Sequence, residues 1–119
     1  MGKAIPEALR LMRPPVGIHY HQEYFDEAAP DDGWLPTVGA AGWIVIGQDY
    51  NYHKREHEAA ALRQYEMGCF YIWGAEARRW DTMRLFARAY DRIVSAAETS
   101  TRPFLYFIQK DGRLSAMNL

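Results

Sequence analysis

Three acidic residues, Asp31, Asp49 and Glu58, have the types and spacing that could do chemistry. Asp49 stands just past the apolar run Trp43-Ile44-Val45-Ile46, and Glu58 follows nine residues later, near the start of a predicted helix. Asp31, in the stretch "PDDGW", offers a third carboxylate. Hard divalent cations take oxygen ligands and keep several of their waters, so a few convergent carboxylates are enough to hold Mg²⁺. The same residues also have a purely structural account. Asp49 can serve as a turn residue, Asp31 or Asp32 as a helix cap, and Glu56 or Glu58 as first-turn charges favoured by the helix dipole.

The elements that must position these groups follow from periodicity. Pro6, with Ile5, Leu9 and Met12 at helical spacing, predicts a short helix that Pro14-Pro15 ends. Val16 to Tyr20 reads as a brief strand, and the acidic, turn-rich segment from Phe25 to Gly33 leads into a short helix with Trp34, Leu35 and Val38 turned inwards. After Gly42, the run Trp43 to Ile46 reads as a parallel strand covered on both faces. Glu56 to Met67 has helical spacing, with Gly68 placed to end it, and Cys69 to Ile72 reads as another buried strand. From Asp81 to Glu98 the residues Leu85, Phe86, Ala89, Tyr90, Ile93, Val94 and Ala97 form one apolar stripe. Phe104 to Ile108 is a strand, and "KDG" at 110 to 112 turns it into a hairpin with 113–117. Alternating helices and short buried strands predict an α/β fold with a mostly parallel sheet, in which functional groups gather beyond the carboxyl ends of the strands.

Composition narrows the function classes. A chain of 119 residues fits one compact domain, and 49% apolar with 24% charged residues is ordinary globular composition. Fourteen Lys and Arg against fifteen Asp and Glu give no global field towards nucleic acid or an anionic membrane, so any such binding must be local. The single cysteine, Cys69, excludes an internal disulfide and suits a reducing cytoplasm. No window is apolar over the roughly 20 residues of a spanning helix, so no membrane partner is expected.

In order and spacing, "PDDGWLPTVGAAGWIVIGQD" followed by "HKREHEAAAL" resembles a PIN-like domain of the kind found in VapC-type toxins. The closing "RPFLYFIQKDGRL" is similar to the terminal strand and hairpin of this group, so the resemblance extends over nearly the whole chain. It implies a three-layer α/β/α sandwich with a mostly parallel central sheet and a C-terminal hairpin. It also implies a Mg²⁺- or Mn²⁺-dependent ribonuclease, the toxin of a toxin-antitoxin pair, with RNA as substrate, an antitoxin partner and a homodimeric state. The carried-over ligands are Asp31, Asp49 and Glu58, with Asp32 and Glu56 as their alternatives. Two departures stand out: the family's first, central strand and its Asp ligand would precede residue 1, and Gly47 occupies a position where the family often has Thr or Ser. The expectation is a single PIN-like domain over 1–119, N-terminally truncated. The alternative is a PIN-like scaffold that has lost catalysis and acts in binding alone.

Other constellations are less specific. His53 and His57 share a helical face and His19 and His21 a strand face, but neither pair has the Cys or spacing of a zinc site. His53, Lys54 and Arg55 are the candidates for touching RNA phosphates, being next to the proposed metal centre. Arg84, Arg88 and Arg92 recur opposite the apolar stripe and form either a solvated face or a track for an RNA backbone or an acidic segment. Tyr50 and Tyr52 flank Asp49 and are placed to stack on a base or to pack in a loop.

Overall fold

The computed structural model describes residues 4–20, 24, 31–48, 55–74 and 78–119. Along these run helix α1 (Ala4–Leu11), helix α2 (Asp31–Ala40), strand β1 (Val45–Gly47), helix α3 (Arg55–Gln64), strand β2 (Gly68–Ile72), helix α4 (Arg79–Thr99), strand β3 (Phe104–Ile108) and strand β4 (Leu114–Ala116). The strands form one sheet in the order β1-β2-β3-β4, parallel from β1 to β3 and closed by the antiparallel β4.

Period-two alternation along each strand divides the core into two halves. Phe70 and Ile72 of β2, with Phe104 and Ile108 of β3, pack against Leu85, Phe86, Ala89 and Ile93 of α4, and Leu9 of α1 joins them. On the opposite face Cys69, Tyr71 and Leu105 pack with Val38 of α2, Leu62 of α3 and Met67. The result is three layers, with α1 and α4 on one face of the sheet and α2 and α3 on the other, as the expected α/β/α sandwich requires. Phe70 and Ile108 are completely buried, and burial on this scale stabilises by roughly 1.5–3 kcal/mol per large side chain.

The central strand carries the geometry. All five residues of β2 are buried, and its register with β3 runs from Gly68 opposite Phe104 to Ile72 opposite Ile108. By contrast β1 is the outermost of the described strands on its side of the sheet and is half-buried along its length. The expectation that both faces of the run Trp43 to Ile46 are covered is met. Ile44 and Ile46 do reach one core half, and Trp43 and Val45 the other. Among the described residues the ladder of β1 is with β2 and covers Val45–Gly47, so the paired strand begins two residues later than the apolar run and extends to Gly47.

A second expectation yields. The segment Val16 to Tyr20 is not a strand. Pro14 and Pro15 offer no amide hydrogen for a ladder, and the carbonyl of Ile18 accepts a hydrogen bond from Arg10 Nε at 2.7 Å. Arg10 also lies over the Tyr20 ring, 5.3 Å from its centroid, so side chains of α1 hold this stretch where a neighbouring strand would have done so.

The end of α3 differs from expectation in an instructive way. The Met67 amide bonds the Leu62 carbonyl at 2.9 Å and the Glu66 amide approaches the Arg63 carbonyl at 3.4 Å, a Schellman arrangement with Glu66 as its left-handed residue at φ 51°. Gly68, expected to end this helix, instead begins β2. Its glycine is required by close approach, because a Cβ there would overlap the Phe104 ring.

The three parallel strands step across the sheet in one direction, yet the crossover through α3 lies on one face and that through α4 on the other. Two such crossovers have opposite hands, so one of them departs from the dominant right-handed form.

Two substitutions test this reading of the helix end and the strand start. Glu66→Gly removes the left-handed penalty and should raise the unfolding free energy in urea by about 0.5–1 kcal/mol. Gly68→Ala should lower it by about 1–3 kcal/mol, since the Phe104 ring must leave its place.

Candidate functional site

The carboxyl ends of β1, β2 and β3 point the same way, and the residues that follow them form one end of the molecule. Gln48 follows β1. Its amide group donates to the Gly74 carbonyl at 2.6 Å and to the Thr82 hydroxyl at 3.0 Å. The Thr82 hydroxyl in turn approaches the Arg78 carbonyl at 3.4 Å. One side chain thereby joins the exit of β1, the segment after β2 and the first turn of α4. Thr82 is 2% exposed and is the buried polar residue of the described core, so its hydroxyl has little access to water and the Gln48 bond satisfies it inside the protein.

Around this link lie groups with more exposure. Asp81 receives Arg78 Nε at 3.3 Å and Arg84 Nη1 at 4.0 Å, pairs that solvent screens and that contribute little to stability. Trp73 donates its amide to the Ile108 carbonyl at 2.9 Å, and Lys110 Nζ sits 5.2 Å from its ring centroid. After β3, the Gln109 amide bonds the Ser115 hydroxyl and so ties the strand to β4.

The sequence-predicted site residues fall on this frame as follows. Asp31 is the first residue of α2, and Arg55 and Glu58 are the first and fourth residues of α3. Helix α3 leads from the carboxyl end of β1 to the start of β2, so its first turn belongs to the same end of the sheet as Gln48. Helix α2 is anchored by its other end: the Trp43 amide bonds the Val38 carbonyl at 3.3 Å, and Arg102, beside the start of β3, donates to the Gly42 carbonyl at 2.9 Å. Nine steps of helical rise carry Asp31 roughly 13 Å from that anchor. Asp49, Tyr50, Tyr52, His53 and Lys54 lie outside the described residues, as do the side chains of Asp31, Asp32, Arg55, Glu56, His57 and Glu58. Among the described residues no group of three or more His, Cys, Asp or Glu side chains is placed to hold a metal ion.

The remaining candidates have structural partners. His19 is stacked on Trp43, with ring centroids 4.2 Å apart and planes within 8°, and its Nδ1 is 2.9 Å from the Tyr24 hydroxyl; His21 lies outside the described residues. The arginine row divides. Arg92 donates to the Gly112 carbonyl at 3.2 Å, where Gly112 holds φ +85° in the hairpin turn and the Arg88 side chain leaves no room for a Cβ. Arg84 stays in solvent beside Asp81.

Sequence reasoning missed Gln48 and Thr82. A threonine at the start of the apolar stripe of α4 was the available signal, because a hydroxyl on a buried face needs a partner. Thr82→Val should leave the shape of the site intact but cost about 1–2 kcal/mol in urea unfolding, since the Gln48 amide loses an acceptor.

Among the described residues no helix is long and apolar enough to cross a membrane. No curated protein and no solved structure matches this chain. The profile of a PIN like domain matches residues 1–74, from α1 through the end of β2. The match is shorter than the near-complete resemblance read from the motifs, and α4, β3 and β4 lie beyond it. It spans more than half of the chain and includes positions 31, 49 and 58, and on this ground the chain belongs to the PIN-like domain family.

Proposed function

We propose that the chain is a metal-dependent endoribonuclease that holds Mg²⁺ or Mn²⁺ on Asp31, Asp49 and Glu58, and that it is the toxin of a toxin-antitoxin pair. The observation that carries this reading is membership of the PIN-like family over a stretch, residues 1–74, containing all three acidic positions. The donor set fits a hard cation, since three carboxylates offer oxygen alone. Softer donors among the described residues are engaged elsewhere: Cys69 is 3% exposed within β2, and His19 is stacked on Trp43.

When bound, such an ion lowers the pKa of its water and neutralises charge developing on the phosphoryl oxygens. The chain's own part is to present and orient. Gln48, whose side chain is held by the Gly74 carbonyl and the Thr82 hydroxyl, immediately precedes Asp49 in the sequence. Arg55 opens the helix that carries Glu58, and with His53 and Lys54 it supplies positive charge for the phosphodiester. The RNA is a substrate and a cognate antitoxin the regulating partner.

Two measurements test the proposal on the same preparation. Millimolar Mg²⁺ or Mn²⁺ should raise the thermal midpoint and support cleavage of a labelled single-stranded RNA. Asp49→Asn should keep the circular dichroism of the fold and reduce cleavage by about 100-fold or more, beyond the range for loss of an outer-sphere partner. A chain that neither gains stability from these ions nor cuts RNA with them would be a binding domain on a PIN-like scaffold, and the enzyme reading would be withdrawn.

A further inference from the structure

We propose that Trp80, flanked by Arg78, Arg79 and Arg84, is a stacking platform for the bases of single-stranded RNA. The inference rests on the proposed ribonuclease reading and names a substrate subsite for it. Most aromatic residues of the described chain pack into the two core halves or, like His19 and Trp43, against one another. Trp80 does not. It is 71% exposed, the most exposed of the described tryptophans. On α4 the buried face is formed by Thr82, Leu85, Phe86, Ala89 and Ile93, and at 100° per residue Trp80 lies nearly opposite it, one turn from Arg84. A single exposed apolar residue is ordinary by itself; what sets Trp80 apart is the cluster of arginines around it on the same rigid helix turn.

Its electrostatic setting favours a polyanion. From 78 to 88 the sequence carries four arginines and one aspartate, within a chain whose formal net charge is -1. The one carboxylate, Asp81, is already met by Arg78 and Arg84, whose side chains remain 89% and 64% exposed. Guanidinium groups beside an exposed indole suit a base with its phosphate: the ring takes the base face, and the cations take the backbone oxygens. Bases in a duplex are already stacked on one another, which favours a single strand. Every base has a π-face, so the platform should be tolerant of sequence.

Position links the platform to the proposed reaction. Thr82, two residues along α4, accepts the bond from Gln48 at 3.0 Å, and Gln48 immediately precedes Asp49. Trp73 with Lys110 emerges at the same end of the sheet. Trp80 therefore stands on the turn of α4 that Gln48 ties to the exit of β1, on the solvent side of that helix.

The test is binding of a short fluorescent oligoadenylate to the full chain in EDTA, where cleavage cannot contribute. Trp80→Ala should weaken binding by about 5- to 150-fold, the range for loss of one base stack. Trp80→Phe should recover most of it, and the thermal midpoint of both variants should match the parent. Arg84→Gln should lower the slope of log affinity against log salt by about 0.7, one phosphate contact on a single strand. Unchanged affinity in Trp80→Ala overturns the platform, whether or not the protein cuts RNA. If Trp80-dependent binding is found but Mg²⁺ and Mn²⁺ support no cleavage, the platform stands and the nuclease reading falls. If oligoglutamate binds as tightly as the RNA and with the same dependence on Trp80, the surface is a docking site for an acidic protein segment and the proposal is overturned.

Discussion

The parallel pairing of β2 with β3, covered by helices on both faces, is the constraint on which the rest of the structure depends. A strand buried on both sides cannot slip by one residue without exchanging the contents of the two core halves. Phe70 and Ile72 must face α4 while Cys69 and Tyr71 face α2 and α3. The Phe104 ring seated on Gly68 fixes the starting point of this register. Once it is fixed, the places where Trp73, Gly74, Gln109 and Lys110 leave the sheet are fixed too.

The two-sided covering has a topological consequence. Helices on both faces are usually reconciled with right-handed crossovers by reversing the direction in which strands are added. No reversal occurs among the described strands, and the crossovers through α3 and α4 accordingly differ in hand. The family match ends at residue 74, between these two connections. Yet β3, beyond the match, supplies the longer of the two ladders made by β2, so the matched part shares its core with the remainder.

At the carboxyl end of the sheet, stability and function draw on the same groups. Gln48 bridges elements far apart in sequence, and its partner Thr82 is as buried as the hydrocarbon around it. Such a link has high cost if half-broken, because a polar group without a partner in a low-dielectric interior keeps its full desolvation penalty. On the solvent side of the same helix turn, Trp80 and the arginines are held to a rigid element and are free of packing duties. A near-neutral protein can thus present a local cationic surface without a global field.

Where one element's own periodicity carries the information, the amino-acid pattern alone was sufficient. The stripe from Leu85 to Ala97, the runs Cys69 to Ile72 and Phe104 to Ile108, and the turn at Lys110-Asp111-Gly112 all appear where the residues put them. The PIN-like family was equally legible in the order of its motifs along the chain. Only the tertiary structure decided that β1 is outermost among the described strands, that Glu66 ends α3 while Gly68 makes room for a ring, that the segment after Pro15 is held by α1, and that Gln48 finds Thr82 across 34 residues. Periodicity tells each residue which way to face; which neighbour it meets is settled by the joint packing of elements remote in sequence, whose order no local pattern contains.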